Sequence, residues 1–491
     1  MKESAARKVD RSRESFFQSL IDRMKAKDLP LGNLTLGEIV QLGEELRVKT
    51  SDVVIAQSMA TEGLSYREVI HGIFNAYQYN LTATEIGLIR GESFLLGKIG
   101  QELARQRQKG NVLIGDRFLD KAVIYTLAAE VGNHTVGLQP CAGTGDSCVY
   151  TGLMRALLES RRPKAQIGQL AALITKVGTY FKEGKRTTGC NMEGFGAGAT
   201  ATAAALAELH GGSARQVGNA MVLALSPTIA VPCTPRVIVS GLCATHIGGA
   251  VLIGHLASRL AVKTNLPVDV DIDVLLAMAA KVHSTAAPVI TRINLQYLRP
   301  YFRRHEGVEA YVDPAILSQE SLQSEAALRQ AREEIRELAK TARPITRAFG
   351  EAVVGGSSIA VGSPTNMGRI AHGLYQGEIR KISIGLTTDL FARRAINVPG
   401  ILMGAVLGAS TRDIEAYRKV LKEVAEKRIE VRVYPVEEPE VQRIAIEATQ
   451  GDAMVDALNR GGGRIKLLDA KPSLEKAIEV AEKLGIQLAQ T

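Results

Sequence analysis

The chain has 491 residues, of which 46% are hydrophobic and none is tryptophan, and its formal net charge is +9. This length exceeds what one ordinary hydrophobic core contains, so we expect two or three domains. The modest charge can attract an anionic substrate, but basic clusters interleaved with aromatic residues are missing, which argues against a nucleic-acid partner. The five cysteines are odd in number and all fall between residues 141 and 243, which argues against a secreted disulfide framework.

The N-terminal part, residues 1–130, is predicted to be helical. Its first residues are charged throughout and contain no apolar segment of the kind that a signal peptide needs, so we expect a cytoplasmic protein. Three capping boxes, Thr35–Glu38, Ser65–Glu68 and Thr82–Glu85, precede apolar residues at helical spacing, and each predicts the start of a helix. No catalytic constellation is visible in this part of the sequence.

Residues 131–300 are predicted to form an all-α core. Two segments within it, 216–235 and 237–258, contain no Asp, Glu, Lys or Arg. Twenty apolar residues can span a bilayer, but prolines interrupt the first segment, and the second is rich in glycine and alanine and contains two histidines. We therefore interpret both segments as the buried core of a soluble protein that has no membrane partner.

Three cysteines, Cys190, Cys233 and Cys243, lie in this nearly uncharged region beside glycine or proline residues. Their intervals match no zinc-ribbon or ferredoxin pattern, and on spacing alone they are typical of buried thiols that act as small hydrophobes. The glycines at positions 194, 196 and 198 follow no predicted strand, so they do not indicate a dinucleotide site. They predict instead helices that approach one another closely.

The segment 301–345 is the most polar part of the chain and is predicted to be a solvated helical linker, because Glu and Arg recur at helical spacing. From residue 346 to residue 491, alternating apolar residues predict a compact α/β domain. The predicted strands are 379–386, 429–436, 441–447 and 464–468, and the predicted helices are 411–427 and 473–484. The expected fold class is a mostly α N-terminal and central helical domain, followed by an α/β (α+β sandwich-like) C-terminal domain.

The local sequences around the cysteines carry more information than their spacing. Residues 189–198 (GCNMEGFGAG), the small-residue helix that follows them, and the Cys-Thr-Pro segment at Cys233 with Cys243 after it resemble the α-domain of the iron–sulfur-dependent L-serine dehydratases. Residues 140–148 (PCAGTGDSC) resemble the Pro-Thr-Ala-Gly-Ser-Cys loop of that family with two residues inserted. In that family the three cysteines hold a 4Fe–4S cluster, so the resemblance implies that Cys190, Cys233 and Cys243 bind this cofactor.

The C-terminal domain shows a fainter resemblance to the β-domain of the same family, in segments 362–368, 399–408 and 461–463. Family chains usually place that domain first or on a separate subunit, so the resemblance implies a fused chain in the reversed order. We interpret the first of these segments as a glycine–serine loop. Hydroxyls and backbone N–H groups suit a carboxylate, and the resemblance therefore implies Ser363, Thr365 and Asn366 as substrate-binding residues.

The activity that the resemblance implies is a hydro-lyase that converts L-serine to pyruvate and ammonia, and we expect the protein to be a homodimer. An iron without a protein ligand acts as a Lewis acid on the substrate hydroxyl, and a base must remove the α-proton. Because the chain has Thr365 where the family has a histidine, that base must lie elsewhere. Glu193 and His246 are the candidate catalytic residues, and His134 and His283 are next in line.

Three alternatives stay open. An L-cysteine desulfidase using the same cluster would differ only in its leaving group. A fourth thiolate from Cys141 or Cys148 would make the cluster inert as a Lewis acid, and the protein would then be a non-catalytic amino-acid-sensing or cluster-sensing protein. The third alternative is a helical scaffold whose thiols are simply buried.

Overall fold

The structure is a computed structural model that describes residues 2–27, 29–110, 112–136, 147–181, 192–230, 239–340, 344–347, 352–354, 362–438, 440–461 and 463–489. Its contacts divide the chain into two compact units, Met1–Arg336 and Glu337–Thr491. Each unit has its own hydrophobic core. The first unit is helical and the second combines helices with a sheet, which confirms the predicted fold class.

The helices of the first unit differ widely in length, and the last of them contains the boundary between the units. They are α1 (Lys2–Lys25), α2 (Leu36–Leu46), α3 (Thr50–Glu62), α4 (Tyr66–Ala76), α5 (Gln78–Ile89), α6 (Ile99–Gln108), α7 (Arg117–Val136), α8 (Ser147–Leu158), α9 (Lys164–Thr179), α10 (Gly198–Leu209), α11 (Ala214–Leu225), α12 (Leu242–Lys263), α13 (Ile272–Leu298), α14 (Glu306–Glu309) and α15 (Pro314–Lys340). A π-helical turn, Met192–Ala197, leads directly into α10.

Two of the three predicted capping boxes are present and one prediction was wrong. Thr35 begins α2, where its hydroxyl accepts from the Glu38 N–H and the Glu38 carboxylate accepts from the Thr35 N–H. Ser65 and its Glu partner three residues later begin α4 in the same way. Thr82, however, lies inside α5, where its hydroxyl donates to the carbonyl of Gln78 at 3.0 Å. The helix therefore begins five residues earlier than the pattern predicted, with Tyr77 in place of Thr82 as the N-cap.

The centre of the first unit is α10, whose residues from Gly198 to Glu208 are all buried. It packs against α8, α9, α11 and α12. Helices α11 and α12 cover most of the described residues of the two segments that lack charged residues, and most of their apolar side chains are buried in this core. The prediction that these segments are core is therefore confirmed for the described residues, and residues 231–238 lie outside them.

Helix α13 behaves differently from these core helices. Among the described residues, one segment, Ile272–Tyr301, is long and apolar enough to cross a membrane. In its most apolar 18 residues the mean hydropathy is 1.4, and 22% of these residues are buried. The helix packs against α2 and α11, and its buried residues include Leu275 and His283. One such helix is weak evidence for a membrane span, because helices of soluble proteins have the same length and composition. The helix continues through His283 to Leu298, with Pro288 inside it.

The second unit contains a five-stranded sheet with strand order β2-β1-β3-β4-β5. Strand β1 pairs in parallel with β2 and antiparallel with β3, and β3, β4 and β5 pair antiparallel in sequence. The strands are β1 (Ile379–Leu386), β2 (Glu430–Pro435), β3 (Val441–Ala448), β4 (Ala453–Asn459) and β5 (Ile465–Lys471). Four of them were predicted, whereas β4 was not.

Helices cover the sheet of the second unit. They are α16 (Gly362–Leu374), α17 (Thr388–Ala392), α18 (Arg394–Leu407), α19 (Ile414–Glu426) and α20 (Leu474–Lys483). Helix α16 packs on β3, β4 and β5 and also against α18 and α20. The two predicted helices of this region correspond to α19 and α20 and are confirmed.

Candidate functional site

Cys243 occupies the first turn of α12 and is fully buried. Gly241, which precedes the helix, has a φ of +84°, a conformation that glycine adopts far more readily than other residues. Its N–H donates to the carbonyl of Leu95 at 2.9 Å, which fastens the start of the helix. The partial positive charge at a helix N-terminus favours a thiolate. The position of Cys243 therefore suits a metal-binding cysteine.

A second buried cysteine, Cys148, lies in the first turn of α8. The two thiols approach the same carboxylate, that of Glu130 on α7. Cys148 donates to Glu130 Oε2, and Cys243 Sγ lies 3.9 Å from Glu130 Oε1. Glu130 is only 4% exposed. One buried acid thus bridges the thiols at the starts of two helices.

His134, one helical turn after Glu130, supports this carboxylate. Its Nε2 lies 2.9 Å from Glu130 Oε1, and its Nδ1 lies 2.7 Å from Ser93 Oγ. Ser93 Oγ also accepts from the N–H groups of Leu95 and Leu96, at 3.1 and 3.0 Å. Its own hydrogen is therefore directed to His134 Nδ1, and we infer the tautomer in which Nε2–H donates to Glu130.

The electrostatics of Glu130 follow from these contacts. Burial raises the pKa of its carboxyl, while the hydrogen bonds donated by His134 and by the two thiols lower it. The net pKa lies below the ordinary value for a glutamic acid. Glu130 is therefore a carboxylate in the core, and its charge is stabilised by the groups that also fix its position.

Two of the three predicted cluster ligands, Cys190 and Cys233, lie outside the described residues. The π-helical turn that begins two residues after Cys190 packs against α10 and α12. Within that turn, the ring of Phe195 lies 4.9 Å from the ring of His246, measured between centroids. The described chain that follows Cys190 therefore lies against the helix that carries Cys243.

Of the predicted catalytic residues, His246 is placed and Glu193 is not. His246 is buried on α12, one turn after Cys243. The backbone of Glu193 belongs to the π-helical turn, but its side chain is outside the description. His283, a further candidate, is buried on α13.

Glycines set how closely the helices around Cys148 and Cys243 approach. A Cβ added to Gly198 would lie 2.9 Å from Val149 Cβ, and one added to Gly196 would lie 3.0 Å from Thr228 Oγ1. Further along α12, a Cβ on Gly254 would lie 2.6 Å from the carbonyl oxygen of Ala199. The predicted role of the glycines in close helix packing is therefore confirmed at Gly198.

The three predicted substrate-binding residues lie in the second unit and are all buried. The prediction that they form a loop was wrong, because they lie in the first two turns of α16. Ser363 Oγ donates to the carbonyl of Arg464 at 2.8 Å, and Asn366 Nδ2 donates to the carbonyl of Gly463 at 3.0 Å. The Thr365 hydroxyl, by contrast, finds no hydrogen-bond partner within the described part of the chain. Thr365 is thus the member of this group whose buried polar atom is unsatisfied among the described residues.

The described side chains can be compared with what ligation of an iron–sulfur cluster requires. Among them, no group of three or more His, Cys, Asp or Glu side chains is arranged to hold a metal ion. Cys243 is the predicted ligand that they include, and its burial at a helix N-terminus fits an anionic iron–sulfur centre. The donor set that the chain can offer here, thiolates in an apolar core, also fits soft iron–sulfur ligation.

Glu130 and Ser93 were not predicted from the sequence. A signal for Glu130 exists, because it is the sole acidic or basic residue between Lys121 and Asp146 and stands four residues before His134. A lone acid in an apolar helix with a histidine at i+4 predicts a buried hydrogen-bonded pair. No comparable signal identifies Ser93, because its contact with His134 joins two separate parts of the chain.

Comparison with known proteins places these residues in a wider context. The sequence model of the family described as “Serine dehydratase alpha chain” matches residues 34–286. A protein of Bacillus subtilis (strain 168) described as “Probable L-serine dehydratase, alpha chain” is 26% identical to this chain over 212 residues. That similarity covers 40% of this chain and 68% of the Bacillus protein.

Proposed function

Because this chain belongs to the serine dehydratase alpha chain family, we propose that it is a cytoplasmic L-serine ammonia-lyase that uses a 4Fe–4S cluster and forms pyruvate and ammonia. The family supports a hydro-lyase of the serine dehydratase type. The observation that carries the finer proposal is Cys243, a buried cysteine at a helix N-terminus within the matched region. The enzyme is proposed to act as a homodimer.

Cys190, Cys233 and Cys243 are the proposed ligands of the cluster. A cluster held by three thiolates has one iron without a protein ligand, and that iron supplies a Lewis acid for the hydroxyl of the substrate. The chain contributes the apolar core around Cys243, which excludes water. Thr365, whose buried hydroxyl lacks a partner among the described residues, is the proposed hydrogen-bonding group for the substrate, with Ser363 and Asn366 holding the first turns of α16 in place.

Elimination of water from serine also needs a base that takes the α-proton. The hydroxyl of Thr365 is too weak a base near neutral pH for this step. We propose His246 and Glu193 for it, because His246 follows Cys243 by one turn and Glu193 lies in the turn that packs against the same helix. Histidine ordinarily titrates near neutral pH, which suits a general base.

The proposal is tested by anaerobic purification, followed by the visible spectrum and by assays with two substrates. L-serine should yield pyruvate and ammonia, and each of Cys190→Ala, Cys233→Ala and Cys243→Ala should remove the brown chromophore. Full iron and sulfide content in all three variants would refute the ligand assignment. Sulfide released from L-cysteine at a higher kcat/KM than pyruvate from L-serine would assign the protein as a desulfidase.

The proposed base is tested separately from the cluster. Glu193→Gln or His246→Ala should lower turnover at least about a hundredfold, the scale of a lost general base, while the cluster spectrum stays as in the wild type. Unchanged rates in both variants would move the base to another residue, with His134 and His283 the next to replace.

A second candidate function rests on Cys148. Because Cys148 and Cys243 approach one carboxylate, Cys148 lies near the proposed cluster site and could provide a fourth thiolate. A cluster with four thiolates would favour a non-catalytic sensor of amino acids or of cluster status. Mössbauer spectra decide between the two functions, since a cluster with three thiolates has one distinct iron site and a cluster with four has none.

A further inference from the structure

The buried pair Glu130 and His134 has no role in the proposed reaction. An ionised carboxylate in an apolar core costs free energy unless it is paired and hydrogen-bonded. The pairing here is complete on the Glu130 side, since His134 and two thiols reach its two oxygens. One of these two thiols belongs to Cys243, which is a proposed ligand of the cluster.

We propose that Glu130, oriented by His134 and Ser93, is a positioning residue that aligns the thiols of Cys243 and Cys148 at the site of cofactor assembly. The inference rests on the proposed cluster ligation by Cys243. The two oxygens of a carboxylate are held in one plane with fixed lone-pair directions. Two sulfurs that approach these two oxygens are therefore held at a defined separation before any iron arrives.

The support for Glu130 is a continuous chain of hydrogen bonds that ends on the backbone. Glu130 accepts from His134, His134 Nδ1 faces the Ser93 hydroxyl, and Ser93 accepts from the N–H groups of Leu95 and Leu96. The same short segment also holds α12, because the carbonyl of Leu95 accepts from the N–H of Gly241. Residues 93–96 therefore fix both the carboxylate and the start of the helix that carries Cys243.

This arrangement matches a recurring feature of metal sites, in which groups outside the ligand set orient the ligands through hydrogen bonds. The loss of such a group typically weakens metal affinity or activity by 10- to 100-fold. Here the orienting group accepts from two thiols at once, and the thiols can donate to it until they lose their protons to bind iron. Its loss should therefore slow incorporation of the cluster more than it affects the folding of the helical unit.

The test compares Glu130→Gln with a matched control, Glu208→Gln. Glu208 is also a buried acid of the helical unit and accepts from the N–H and hydroxyl of Ser51, at 2.9 and 2.5 Å. Both variants replace one buried acid by its amide, and of the two acids Glu130 is the one that contacts cysteines among the described residues. We expect Glu130→Gln to slow incorporation of the cluster into the cluster-free chain at least about tenfold, followed by visible absorbance. Glu208→Gln should leave this rate unchanged.

A second pair of variants separates positioning from general loss of packing. His134→Gln keeps a side-chain N–H that can donate to Glu130, whereas His134→Leu has none. The first should keep the incorporation rate of the wild type, and the second should resemble Glu130→Gln. Equal incorporation rates for Glu130→Gln and Glu208→Gln, or a His134→Leu variant with the rate of the wild type, would overturn the inference.

A measurement on the cluster-free chain keeps this inference apart from the proposed function. A short bifunctional thiol reagent should link Cys148 to Cys243 in the wild type and in Glu208→Gln, with the link located by peptide mass spectrometry. The yield should fall severalfold in Glu130→Leu. A wild-type chain that takes up no cluster but shows this pattern would refute the proposed function and retain the alignment of the thiols. A yield that does not depend on Glu130 would refute the alignment itself.

Discussion

Replacement of Gly254 by alanine should destabilise the helical unit by an amount that the structure allows us to work out. A Cβ at this position of α12 would lie 2.6 Å from the carbonyl oxygen of Ala199 and 2.6 Å from Thr202 Cβ. Neither atom can rotate away, so α10 and α12 must separate. Overpacking of this kind costs about 1–3 kcal/mol. Alanine recovers about 0.5–1 kcal/mol of helix propensity relative to glycine, which leaves a net loss of about 1–2 kcal/mol.

Gly249, on the same helix, is the matched control. Within the described part of the chain, a Cβ at Gly249 meets Phe195 Cε2 at an ordinary 3.9 Å and nothing nearer. Only the gain in propensity then operates, and Gly249→Ala should stabilise the unit by about 0.5–1 kcal/mol.

The assay is urea unfolding of the cluster-free chain, followed by circular dichroism, with the transition of the helical unit fitted separately from that of the C-terminal unit. The two substitutions should change the free energy of unfolding in opposite directions. A neutral or stabilising Gly254→Ala would show that this glycine does not set the distance between α10 and α12. An equal loss in both variants would mean that the contact distances do not govern the outcome.

Two further predictions concern single polar groups. Burial raises the pKa of Asp52, against the hydrogen bond that Gln169 donates to it at 2.6 Å, so the stability from its protonated form is present at low pH and is lost as the pH rises through the raised pKa. Asp52→Asn stays uncharged at every pH and still accepts from Gln169. Its free energy of unfolding should exceed that of the wild type by more at pH 8 than at pH 3, which lies below the ordinary pKa of aspartic acid; an equal difference at the two pH values would contradict this. Thr365→Val removes a buried hydroxyl without a described partner, so it should stabilise the ligand-free C-terminal unit by about 1–2 kcal/mol. The same variant should lose any rise in melting temperature that L-serine gives the wild type, and a destabilised variant would show that the hydroxyl is satisfied.

The strands that the sequence predicted and the strand that it missed differ in composition. Residues 379–386 and 441–448 alternate apolar and polar residues and are rich in isoleucine and valine, which favour a pleated, half-buried surface. Strand β4, Ala453–Asn459, has one such residue, Val455, and its others are Ala, Met, Asp, Leu and Asn, which do not favour such a surface. It is a strand because β3 and β5 pair with it on both sides. Pairing of this kind is a tertiary effect that local composition does not reveal.

At the candidate site, too, local sequence patterns did not reveal contacts between separate helices. Cys243 and its neighbours could be identified because their local sequences resemble a known family, and His134 was a candidate because histidine is chemically versatile. The bridge from Cys148 through Glu130 to Cys243 joins the consecutive helices α7 and α8 to α12, and Cys243 lies 113 residues after Glu130. The prediction of a loop at the start of α16 was wrong for a different reason. Its glycine, serine and proline residues are typical of a loop, but proline is also common in the first turn of a helix, where Pro364 lies.

The π-helical turn Met192–Ala197 has a consequence for the tolerance of this chain to insertions and deletions. A π-helical hydrogen bond closes one residue more than an α-helical one, so this turn contains a residue that a regular helix would not need. Each residue of an α-helix turns the chain by about 100°. Deletion of one residue from the π turn would restore α-helical winding and nearly keep the directions of the residues on either side of it, whereas deletion of one residue within α10 would rotate everything before it by about that angle. Gene variants that lose a single codon in this turn should therefore be less damaging than variants that lose one between Gly198 and Glu208, where every residue is buried.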